Sequence, residues 1–202
     1  MTVIKLAEGG LLVCSPIALD EALRTKIEAL GEVRWLVAPN ALHHVFLKDW
    51  QEAYPTAQTF APPGLRKKRP DLRFDEDLSD LAPAAWAPEM DQVIVRGNLI
   101  TSEVVFFHRP SGTVIFTDLI QHFAPGWFTG WRAVVARLDR MTAPLPEVPQ
   151  KFRNTFINRS AARKAIRQVL DWPIEKVVMA HAPPVRSNGR AFIAQAFQWL
   201  RI

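Results

Sequence analysis

The chain has 202 residues, 49% of them hydrophobic, which suits one large domain with a sizeable buried core or, less comfortably, two small ones. Its 25 Lys+Arg against 20 Asp+Glu leave a charge of +5, which favours anionic ligands but falls short of a nucleic-acid binder's basic excess. No apolar run approaches the ~18 residues of a membrane span, "MTVIKLAEGG" lacks a signal-peptide pattern, and Cys14 stands alone, so a cytoplasmic protein without disulfides is expected.

In chain order, "VIKL" and "LLVCSP" flank Gly9–Gly10 as a hairpin, with Cys14 buried inside the apolar stretch. Leu19, Ala22, Leu23, Ile27 and Leu30 recur at helical spacing over 18–30, and Gly31 supplies a stop. The strand "VRWLVA" then leads into "PNALHH", followed by a helix over roughly 45–54 and the strand "AQTFA". "GLRKKRPDLRF" (64–74) reads as a basic loop, solvated or able to meet an anionic substrate, and the acidic, proline-rich 75–90 as a connector.

The middle of the chain is β-rich: "QVIVRGN" (92–98), "SEVVFFH" (102–108) and "TVIFTDLI" (113–120), with "RPSG" turning between the last two. His108, before that turn, is expected to be exposed. A helix over 126–141 carries Gly130 internally, and a proline-rich connector occupies 143–149. Asn158 is positioned to cap the next helix, on which Arg159, Arg163 and Arg167 share a face read as solvated. The strand "KVVMAHA" (176–182) and the helix "GRAFIAQAFQWL" complete the series.

Strand ends here carry metal-ligating residue types. "VRWLVA" leads into His43 and His44, "TVIFT" ends at Asp118 and "KVVMA" ends at His181. Functional groups gather beyond the carboxyl ends of strands in layered α/β proteins, and imidazole with carboxylate suits borderline divalent metals such as zinc. Each residue also has a plainer reading: His43 and His44 as a polar turn, Asp118 as a cap, and His181 bonded to its own turn. Adjacent strand residues point to opposite faces, so both His43 and His44 can ligate only from an irregular turn, which Pro39–Asn40 favours. His122, four residues past Asp118, can line the same cleft. Trp127, Phe128 and Trp131 can wall a pocket, or at helical spacing belong to the core.

This order of elements, with "PNALHH", "VIFTDL" and the closing "AHAPP", resembles the metallo-β-lactamase-like superfamily over nearly the whole chain, closest to a bacterial branch described as metal-dependent hydrolases. The resemblance implies a single domain over residues 1–202 of αββα class, two mixed β-sheets face to face with helices outside. It also implies a metal cleft at one edge. The family's His-x-His-x-Asp-His motif, laid with His44 as its last histidine, puts Pro39 and Ala41 at the leading histidines and His43 at the aspartate. Asn98 after Gly97 replaces the mid-chain histidine. One metal site thus loses its three ligands, while His43, His44, Asp118 and His181 stand where the other site's ligands belong, with His44 the unsubstituted match.

The implied function is a mononuclear metal-dependent hydrolase of an ester, thioester, amide or phosphoester in a small, anionic substrate. It would hold one divalent ion, zinc, iron or manganese, with His43 or His122 moving protons. The alternative is a binding or scaffold protein that keeps the fold without the chemistry. Nucleic-acid processing and membrane association are not expected.

Overall fold

The computed structural model describes residues 1–124, 126–142 and 147–202, which fall into two compact units, Met1–Glu89 and Met90–Ile202. The expected connector at 143–149 therefore lies partly outside the described residues. Among those residues no helix is long and apolar enough to cross a membrane.

The first unit holds a five-stranded sheet in chain order: β1 (Thr2–Lys5), β2 (Gly10–Cys14), β3 (Glu32–Val37), β4 (Gln58–Ala61) and β5 (Glu76–Asp77). β1 and β2 form the expected antiparallel hairpin, turned at Gly9, whose φ of 91° favours a residue without Cβ. The remaining pairs are parallel: helices α1 (Glu21–Glu28) and α2 (Leu47–Ala53) supply the crossovers for β2–β3 and β3–β4, and residues 62–75 that for β4–β5. All five residues of β2 are buried, Cys14 among them. Leu11 and Val13 pack with Val33 and Leu36 of β3 beneath Ile27, Leu47 and Trp50 of the helices.

Helix α1 is shorter than the apolar spacing predicts. Asp20 accepts the N–H of Leu23 at 2.7 Å and sets its start, and the chain leaves helical geometry after Ala29, before Gly31. The basic loop is more ordered than its composition suggests. Gly64 turns with φ 83° into a short helix α3 (Leu65–Lys68), anchored by the fully buried Leu65. The 75–90 connector likewise contains β5 and the buried Trp86, whose ring meets Phe60 edge-on at 4.6 Å. Apolar anchors inside polar segments explain both differences.

The second unit holds a four-stranded sheet of β6 (Met90–Val95), β7 (Glu103–His108), β8 (Thr113–Ile115) and β9 (Lys176–Val178). β6, β7 and β8 are antiparallel neighbours, and β9 joins β8 in parallel. Helices α4 (Gly130–Leu138), α5 (Gln150–Thr155), α6 (Arg159–Asp171) and α7 (Gly189–Ala196) complete the unit. The core gathers Val93, Val105 and Phe107 of the sheet with Ile166 and Val169 of α6 and Ile193 of α7.

Asn158 caps α6 as expected, accepting from Ala161 N–H at 3.0 Å. The arginine face of α6 is not simply solvated. Arg163 donates to the Leu200 carbonyl at 2.7 Å, and the Arg159 guanidinium lies 5.6 Å from the Trp199 ring centre, so both hold the C-terminal turn. His108 is only partly exposed and shares a 2.8 Å hydrogen bond with Ser111. The predicted 126–141 helix begins only at Gly130, because that residue, with φ 57°, opens the helix rather than interrupting it. Strand β8 is similarly brief; after Ile115 the chain turns out of the sheet toward Asp118.

Candidate functional site

In the second unit, parallel pairing determines the geometry. Ile115 of β8 lies opposite Val178 of β9, and Asp118 and His181 each follow three residues later. Two strands running the same way in register must deliver both side chains to the same carboxyl edge. There His181 Nε2 lies 3.2 Å from Asp118 Oδ1, the carboxylate buried and the imidazole partly open. His122 belongs to the same edge, its backbone N–H donating to the His181 carbonyl at 3.3 Å. The Phe123 ring stacks on His181 at 5.7 Å and meets Phe128 edge-on at 4.9 Å.

A residue that sequence reasoning missed positions this edge. Glu103, the first residue of β7, is completely buried, and its carboxylate accepts three successive backbone N–H groups: Thr117 at 2.7 Å, Asp118 at 2.8 Å and Leu119 at 3.1 Å. A carboxyl group that accepts from consecutive amides holds the turn after β8 in one conformation. Burial, and next the charge of Asp118, push the Glu103 carboxyl above the ordinary carboxylate range against the pull of these donors. The available signal was an acid heading the otherwise apolar strand "EVVFFH".

In the first unit, the two adjacent histidines part company. Asn40 Oδ1 accepts the N–H groups of Leu42 at 2.8 Å and His43 at 3.0 Å, which makes the irregular turn expected of Pro39–Asn40. His43 Nδ1 then meets Ser15 Oγ at 2.5 Å. Ser15 follows β2 directly, with its N–H on the Val37 carbonyl, so it sits beside the end of β3. Its φ of 57° takes the backbone out of the extended strand conformation.

His44 instead places Nδ1 2.9 Å from Arg69 Nη1. A guanidinium only donates, so Nδ1 accepts and the neutral ring carries its proton on Nε2. Burial first, then the charges of Lys68 and Arg69, lower the His44 pKa from its ordinary value. The rest of the basic loop is largely neutralised. Arg66 pairs with Asp77, Arg69 with Asp71 and Arg73 with Asp75. The Arg69 bond carries the Asp71 carboxyl down to about 2. An anionic substrate finds few uncommitted arginines there.

Asn98, which the family resemblance sets at a mid-chain ligand position, is absorbed into structure. It donates to the Phe152 carbonyl at 2.8 Å and accepts from Ile100 N–H at 2.8 Å and Thr155 Oγ1 at 3.2 Å. Gly97 before it has φ 94°, and a Cβ there would lie 2.5 Å from the Asn158 carbonyl, so this bend requires glycine. Trp127 and Trp131 are 68% and 72% exposed, outside the core.

The family model described as "Domain of unknown function (DUF4336)" matches residues 1–127. No curated protein matches the chain. Among solved structures, the chain is similar to the metal-soaked Flv1 flavodiiron core from Synechocystis sp. PCC6803, at TM-score 0.62 and 14% identity. That likeness covers 98% of this chain and 51% of the other, so the chain spans about half that protein's length. It is also similar to a metallo-β-lactamase from Pontibacter korlensis (TM-score 0.62, 11% identity, 98% and 85% covered). A third is FIM-1, a metallo-β-lactamase from Pseudomonas aeruginosa in its mono-zinc form (TM-score 0.58, 14% identity, 98% and 81% covered). At such identities the likeness establishes the fold, and the chain has the metallo-β-lactamase-like α/β fold with two mixed sheets that its element order implies.

Proposed function

The chain belongs to the DUF4336 family, and for it we propose a mononuclear metal-dependent hydrolase acting on an ester, thioester, amide or phosphoester of a small molecule. The observation that carries this reading is the Asp118–His181 pair at the carboxyl edge of β8 and β9. The pair fits a metal. Bonds of about 2.0–2.1 Å in a tetrahedral arrangement space neighbouring ligand atoms about 3.3 Å apart. The 3.2 Å between Asp118 Oδ1 and His181 Nε2 meets that spacing, and carboxylate with imidazole is the donor chemistry of zinc, iron or manganese.

Asp118 and His181 are the proposed ligands of the second unit, and the motif resemblance is what adds His43. Ser15 Oγ holds His43 at Nδ1, as outer partners orient ligating imidazoles. His44, the position favoured by motif alignment alone, is the weaker candidate, because its ligation through Nε2 would require breaking the Arg69 bond. A bound divalent ion would lower the pKa of its water toward ~7 and polarise a carbonyl or phosphoryl oxygen. His122 is the candidate to accept or return a proton at its ring nitrogen. Glu103 keeps the turn that presents Asp118 from relaxing.

Elemental mass spectrometry on untagged protein, reconstituted with zinc, iron or manganese, tests this reading. Near one equivalent is expected in the wild type, with loss in Asp118→Ala, His181→Ala and His43→Ala. A wild type that takes up none of the three metals overturns the hydrolase and leaves a binding or scaffold role for the fold.

A further inference from the structure

Helix α4 turns its large apolar residues outward. Trp131, Val134, Val135 and Leu138 recur at i, i+3, i+4 and i+7 and are all exposed, whereas Ala136 is the buried residue. An open cavity of about 270 Å³ lies along the flank of the helix, lined by Gly126, Phe128, Ala133, Val134, Arg137 and Thr142. Among the described residues its lining is chiefly apolar and includes one cation, Arg137.

That cation has no ion-pair partner among the described residues. The acids closest to it in sequence are committed elsewhere: Asp139 to Lys151 at 3.3 Å, and Glu147 to both Arg140 and Arg153. A guanidinium beside an apolar hollow matches a ligand with an apolar body and one anionic group. The Phe128 ring that lines the hollow meets Phe123, and Phe123 stacks on His181.

We propose that this cavity binds a small aryl- or alkyl-carboxylate, its apolar body against Phe128 and Val134 and its carboxylate on Arg137. The binding site does not depend on the hydrolase reading. That its ligand is one half of the substrate does rest on that reading, and makes the substrate a derivative of an apolar acid.

Calorimetric titration of metal-free protein with 4-phenylbutyrate, and with the neutral 4-phenylbutanamide, tests the site. The acid is expected to bind about tenfold tighter than the amide. Arg137→Gln should bring the two to equal affinity, and Val134→Trp should abolish both while leaving the circular dichroism unchanged. Absence of binding, equal affinities in the wild type, or unaltered binding in Val134→Trp overturns the proposal. Carboxylate binding that persists in a protein taking up no metal retains this pocket and removes only the hydrolase.

Discussion

The Glu103 carboxylate accepts the backbone N–H of Asp118 at 2.8 Å, so a buried acid on one strand fixes the candidate ligand beyond the next. Glu103→Gln keeps the shape but replaces one acceptor oxygen by an NH₂ group, which cannot serve the amides of Thr117, Asp118 and Leu119 together. The expected loss is about 1–3 kcal/mol, the scale of a buried donor left unsatisfied. Urea denaturation should show a lower midpoint with an unchanged slope. An unaltered midpoint would remove Glu103 from the role of anchor.

Ser15→Gly tests whether the hydroxyl orients His43. Glycine accepts the φ of 57° freely, so the substitution removes Oγ without adding strain. Stability should change by under about 0.5 kcal/mol, while metal affinity falls roughly 10–100-fold, as for other outer partners of ligating histidines. Competition titration against a chelating dye measures both limits. Unchanged affinity would assign His43 a structural role only.

Asn98→His introduces the residue type that the family resemblance expects at this position. Occupancy should nevertheless stay at one equivalent, because Pro39 and Ala41 offer no side-chain donors. Stability should fall by about 1–3 kcal/mol, since the amide's bonds to Phe152, Ile100 and Thr155 are disrupted. Two equivalents of metal in this variant would contradict the mononuclear assignment.

His44 predicts a pH dependence. Its folded pKa lies below the unfolded value because burial and the cations Lys68 and Arg69 disfavour imidazolium. The unfolded chain therefore binds the proton more readily, and the stability contributed by the neutral ring is complete above about pH 6.5. It is lost as pH falls through the folded pKa. Arg69→Met should raise the His44 titration midpoint in NMR and flatten the acid-side fall in urea midpoint. A midpoint that does not move would mean that Arg69 has no part in the shift.

Much of this was legible from the sequence because it depends on local pattern. Gly9–Gly10 announces the first hairpin, the five buried residues of β2 read as an apolar run, and Asn158 caps its helix as its side chain allows. The chemistry at strand ends was legible too, since Asp118 and His181 close apolar strands. What the letters do not carry is adjacency. Those two residues meet only because β8 and β9, 60 residues apart in chain, pair in parallel with Ile115 opposite Val178. Likewise Glu103 reads as an ordinary strand-edge acid until the fold buries it under three amide donors. His43 and His44 are the same residue type side by side, and only the turn at Asn40 sends one to Ser15 and the other to Arg69. Periodicity and turn chemistry act over a few residues and are written in the sequence, whereas pairing register and burial act across the chain and exist only once it has folded.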